Sequence, residues 1–175
     1  MTKYFITVNT YIAITITCWL ISLSAALATN TTASVDYSTA KKLLQAVSQV
    51  QLNQQKTHSL LLYCGQQFKH LSTSANKAQK HWQQQNQTAI QQSSNVKNHI
   101  TAQLQQHSPL AADKLMLEMD ALVRQGVTQF KQYLAEQTQK QRHYLCNRLI
   151  LSVQAGEWDL KTQIPQALET LRKGK

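Results

Sequence analysis

The stretch "LLLYCGQQF", residues 60–68, decides the fold, because it sets a cysteine in the middle of an apolar helical seam. An alternating 4-3 spacing runs through Leu43, Val47, Val50, Gln54, Thr57, Leu61, Cys64, Phe68, Leu71, Ala75, Ala78 and Trp82. Ten of these twelve are apolar or small, the pattern of a coiled-coil-like seam in which Cys64 faces a partner helix. A second stretch, "HYLCNRLIL" at 143–151, repeats the arrangement, with Cys146 on one face with Leu149, Ile150 and Val153. Two antiparallel helices passing near residues 64 and 146 would bring the thiols within bridging range, a Cα separation of about 4.4–6.8 Å.

The N-terminus states the redox context of that pair. Lys3 is the one charge in the first 35 residues, and the apolar run "YIAITITCWLISLSAAL" ends in Ala26-Leu27-Ala28. A basic start, an apolar run and small residues before a cut describe a secretory signal peptide over 1–28, cleaved after Ala28. The rival reading is an uncleaved anchor, since residues 5–28 just suffice for a bilayer of about 30 Å. A lipoprotein site at Cys18 is disfavoured by Thr17 before it and bulky Trp19 after it. Export makes the chain periplasmic or secreted, with no membrane span left after cleavage.

The mature chain of 147 residues is one domain's worth, with 29–37 a flexible leader and 38–175 a single helical domain. It keeps two cysteines, and in an oxidising compartment an even pair is most simply a disulfide, Cys64–Cys146. Closing a loop across 82 positions removes about 4–5 kcal/mol of unfolded-chain entropy on the chain-entropy account. No Cys-x-x-Cys is present to depress a thiol pKa for redox work.

Only four glycines and two prolines interrupt the chain, so long helices are the natural reading. The first starts near Ser38. Unbroken to Trp82 it would run roughly 65 Å, so a bend or turn is expected between 65 and 76, where Gly65 and "STSAN" weaken it. Residues 76–107 are rich in Gln, Asn and Ser and thinly apolar, which suggests an extended arm or partial disorder. Ser108-Pro109 is the cleanest boundary. A second strong helix then carries Leu115 through Val153, mildly interrupted at Gly126 and ended by Gly156, and Pro165 opens a short last helix. The expected fold class is all-α: an elongated helical bundle or hairpin of 3–4 helices with coiled-coil-like seams, stapled by one disulfide.

Chemistry is sparse. Six histidines, His58, His70, His81, His99, His107 and His143, include no pair at the i,i+3 or i,i+4 spacing of helical metal sites. No metal site is therefore assigned within one helix, although ligands from different helices could still meet. Of eight carboxylates in the mature chain, Asp120–Arg124, Glu136–Lys140, Glu157–Lys161 and Glu169–Lys173 are spaced as helix ion pairs. Little remains for general acid–base work, and no nucleophile elbow, phosphate-binding glycine loop or haem motif occurs. No catalytic residue and no cofactor are assigned, and the chain is not read as an enzyme.

Lysine is distributed unevenly. Between Asp36 and Asp113 there is no acidic residue, yet Lys41, Lys42, Lys56, Lys69, Lys77, Lys80 and Lys97 all fall there. With the seam at a and d they occupy outward b, c and f positions, a candidate anion-binding stripe. Arginine and interleaved aromatics, the usual equipment for phosphate and base contact, are missing from it. Trp82 and Trp158 read as packing residues. Asn30-Thr-Thr and Asn86-Gln-Thr match the glycosylation sequon. The expectation is an exported, non-enzymatic protein that binds a protein partner, of chaperone, inhibitor, immunity or adaptor type, with self-association as a further mode. The alternative is electrostatic binding of anionic envelope polymers, lipid head groups or nucleic acid, and an enzyme is the least favoured reading.

Overall fold

The first helix, α1 (Tyr37–Gln67), runs with no proline and no glycine before Gly65. In this computed structural model, which describes Tyr37–Lys173, it packs against α2, α3, α4 and α6, the helices defined below. The proposed signal peptide over 1–28, and the leader save Tyr37, lie outside the described residues. Ala40, Leu43, Leu44, Ala46, Val47, Val50, Thr57, Leu60, Leu61 and Cys64 of α1 are buried, a stripe wide enough to meet helices on more than one side.

The expected turn is present. α1 stops at Gln67, Phe68 adopts extended φ −129° and ψ 89°, and a single 3-10 turn over Lys69–Leu71 reverses the chain. The Leu71 N–H donates to the Phe68 carbonyl at 2.8 Å, and buried Leu71 anchors the turn. Across it, a Cβ added to Gly65 would lie 3.4 Å from the Ser72 Cα and 3.6 Å from the Ala75 Cβ, so the two helices leave side by side.

α2 (Ser72–His107) corrects the reading of 76–107 as an arm or partly disordered segment. Its 36 residues form one helix whose buried face carries Ala75, Ala78, Trp82, Asn86, Ser93, Val96, Ile100 and Leu104. The 3-and-4 spacing continues through the Gln-rich part, but two of its members, Asn86 and Ser93, are polar and hide the period.

α2 ends where proline requires it. Ser108 is extended, the Ser108 N–H donates to the Leu104 carbonyl at 2.7 Å, and Pro109 opens α3 (Pro109–Ala135). The serine hydroxyl makes no capping bond, so the boundary rests on backbone and proline. α3 buries Ala112, Met119, Val123 and Leu134. The second strong helix does not continue to Val153. It breaks at 136–138, and Thr138 starts α4 (Gln139–Gln154) with a capping box: the Thr138 hydroxyl accepts from the Gln141 N–H while the Thr138 N–H donates to Gln141 Oε1. Glu136 thus caps one helix while Lys140 belongs to the next, which removes that expected ion pair from a common helix.

α4 buries Cys146, Ile150 and Val153, and Gly156 at φ +79° turns the chain out of it. A four-residue helix, α5 (Leu160–Gln163), and α6 (Pro165–Lys173) follow, and α6 lays Ala167 and Leu171 onto α1. The described residues are all-helical, with six α-helices rather than three or four, because the 138 cap and the 156–165 segment each add a break. The sulfurs of Cys64 and Cys146 stand 2.06 Å apart with Cα atoms at 5.4 Å, a disulfide joining α1 to α4.

Candidate functional site

Three places gather polar or reactive side chains, and each is built by a different part of the fold. The first surrounds the disulfide. One residue before Cys64, the Tyr63 hydroxyl accepts from Arg142 Nη1 at 3.4 Å. Beyond Cys64, His70 in the 3-10 turn meets His143 of α4, their Nε2 atoms 2.9 Å apart. At that distance one ring donates its N–H to the lone pair of the other. Phe68 stands edge-on to both imidazoles, with centroids at 6.3 Å from His70 and 5.0 Å from His143. Asn147, one turn further along α4, brings its amide to 3.4 Å from His143 Nε2. His70 is exposed and His143 half-buried, so the pair opens to solvent. Local spacing leaves ligands from different helices open but cannot show which histidines meet 73 positions apart; only the Cys64–Cys146 bridge indicates that these two segments come together.

The second place is the joint between α1, α2, α3 and the 156–159 turn. Trp82, fully buried, donates its indole N–H to the Trp158 carbonyl at 2.7 Å. Buried Asn86 donates to the Trp82 carbonyl at 2.8 Å and accepts from the Leu160 N–H at 2.8 Å. Its amide also reaches Asp159 Oδ1 at 3.4 Å, and Lys161 lies 3.9 Å from Asp159 Oδ2. With both ends of its amide engaged inside the fold, Asn86 has no room for a glycan, and its sequon match carries no modification of this folded state. Asn30 lies outside the described residues.

Lys56 belongs to this joint and departs from the outward position expected of it. Its ammonium sits 4.8 Å from the Phe130 ring centroid and 5.4 Å from that of Trp158. It is half-buried, and desolvation pulls its pKa below the ordinary lysine value. The heptad placed it at c, but α3 and the Trp158 turn cover that side of α1.

The other lysines do not form one stripe. Lys42, Lys69, Lys77 and Lys80 are exposed, while Lys41 and Lys97 are half-buried. Because α1 and α2 are antiparallel about the 68–71 turn, Lys69, Lys77 and Lys80 lie at the turn end and Lys41 and Lys42 at the other. Lys77 and Lys97 are separated by about 30 Å of helix rise.

The third place is apolar. α3 leaves Leu110 83% exposed and Leu117 66% exposed, seven residues apart and opposite the face that buries Ala112, Met119 and Val123. α4 does the same with Tyr144 and Leu151, 60% and 66% exposed, again seven residues apart. Among the described residues no group of three or more His, Cys, Asp or Glu is placed to hold a metal ion, and no helix is long and apolar enough to cross a membrane. No family model, curated protein or solved structure matches the chain.

Proposed function

We propose that this is a non-enzymatic helical protein, exported from the reducing cytosol, that works by binding a protein partner in the manner of a chaperone, inhibitor, immunity protein or adaptor. The observation that carries the reading is the outward pair Leu110 and Leu117 on α3, set opposite that helix's own core face. Apolar anchors seven residues apart on one helix are how a helix docks into a partner's groove. Two exposed leucines on the side away from the core gain nothing for the fold itself. The facing seams of α1 and α2 are read as coiled-coil-like and as the rigid support that presents α3. The Cys64–Cys146 bridge supports export, because such bonds persist in oxidising compartments.

The test is a double substitution, Leu110→Ser with Leu117→Ser, in the disulfide-bonded protein. The far-UV spectrum and thermal midpoint should stay at their wild-type values while crosslinking to a partner, or to a second copy, in native extracts is lost. A variant that captures the same partners as the wild type overturns this reading.

A second reading has one observation in its favour. Lys69, Lys77 and Lys80 are all exposed at one end of the α1–α2 pair, in a segment free of carboxylates. Such a cluster would attract an anionic polymer, lipid head group or nucleic acid with affinity falling steeply in salt. Changing all three to glutamine should then abolish retention on a heparin-type polyanion, and salt-insensitive retention removes the reading.

A further inference from the structure

We propose that His70 and His143 form a two-imidazole site for a late first-row divalent ion, with copper(II) the best fit. The two Nε2 atoms come from different elements, the 3-10 turn and α4, and stand 2.9 Å apart. Two metal–nitrogen bonds of about 2.0–2.1 Å at right angles span about 2.9 Å, the cis edge of a tetragonal ion.

The ring centroids are 5.0 Å apart with the planes inclined at 41°, so the rings now point nearly head to head and share a proton. Chelation at right angles needs each lone pair to turn by roughly 45° off the N–N line, which the side-chain torsions must supply, χ2 of histidine being broad. The ring that now holds its proton on Nε2 takes the Nδ1–H tautomer through exchange with solvent, which frees both Nε2 lone pairs for an ion lying to one side of the N–N line. His70 is exposed and His143 half-buried, so an ion can reach the pair from solvent. Asn147, its amide 3.4 Å from His143 Nε2, can offer its carbonyl oxygen after an amide flip.

The two segments that carry the rings are tied together. Cys146 lies three residues after His143 on α4 and is bonded to Cys64, which precedes the turn carrying His70. Phe68 walls both rings on one side. Because the bridge holds the two segments side by side, the two donors act as a chelate rather than as two separate ligands. No carboxylate joins them, and Lys69 and Arg142 are their chain neighbours. Oxygen-preferring magnesium or calcium is therefore a poor occupant, whereas copper(II), at the top of the affinity order for nitrogen donors, suits two imidazoles.

The experiment mixes copper(II) chloride at one equivalent with the disulfide-bonded protein, removes loose metal by desalting, and measures copper per chain and its electron paramagnetic resonance. About one copper per chain with nitrogen couplings from two imidazoles is expected for the wild type. His70→Ala and His143→Ala should each lose the retained copper, while His99→Ala keeps it. Far-UV spectra establish that the variants are folded, and His143→Gln, which keeps a polar side chain of similar bulk, should lose the copper too. Copper retained equally by His70→Ala and His143→Ala, or absent from the wild type, overturns the site and leaves a hydrogen-bonded histidine pair.

Discussion

At the scale of single residues, the glycines show how one residue type takes different roles according to its surroundings. Gly156 alone among the described residues has a positive φ, at +79°, and a Cβ there would also meet Asp159 Oδ2 at 3.2 Å. Gly156→Ala should cost about 1–2 kcal/mol in urea denaturation, the penalty of left-handed backbone. Gly65 lies inside α1 with no neighbour closer than 3.4 Å to an added Cβ, so Gly65→Ala should be neutral or stabilising by up to about 1 kcal/mol. An equal loss at both positions would contradict the assignment. The stop at Gly156 was legible in the chain because glycine after a helical run is a local signal. The role of Gly126 was not: an added Cβ would fall 2.6 Å from Leu52 Cδ1, and this close approach of α3 to α1 depends on a residue 74 positions away. Asn86 is the same kind of case, a polar residue in a Gln-rich run until Trp82, Asp159 and Leu160 close around it.

At the scale of elements, local signals settled most boundaries and missed those that look ordinary. The turn at 68–71, the proline start of α3 and the proline start of α6 were all readable. The break at 136–138 is masked although Thr138-x-x-Gln141 is a capping box, because the apolar spacing carries on across it. The last helix also carries the clearest electrostatic prediction. Glu169 accepts from Arg172 at 2.8 Å and lies 3.2 Å from the Lys173 ammonium. The Arg172 hydrogen bond first, then that of Lys173, pushes its pKa down to about 2. A carboxyl held below its unfolded value stabilises the folded state above that value and loses this contribution as pH falls through the folded one. The thermal midpoint of wild type should therefore exceed that of Glu169→Gln at neutral pH, with the gap closing between about pH 4.5 and about 2. The Glu169 side chain is 45% exposed, so the gap is small and should shrink in molar salt. A gap that widens on acidification would show that the pairing does not act this way.

At the scale of the whole molecule, the disulfide closes a loop that contains all of α2 and α3. The bridge acts on the unfolded chain more than on the folded one, so replacing both cysteines by alanine should leave the helical spectrum in place and lower stability by about 2–5 kcal/mol. Unchanged urea midpoints for that variant would mean that α1 and α4 hold together without it. Helix content, the bend and the cysteine pairing were written in the chain by itself, because each rests on spacing, composition or counts within it. The inward turn of Lys56, the division of the lysines between two ends, the His70–His143 pair and the outward leucines of α3 were decided by tertiary structure alone. The physical reason is common to all four: a helix period says which residues share a face, and only the packing of other helices says whether that face meets protein or water.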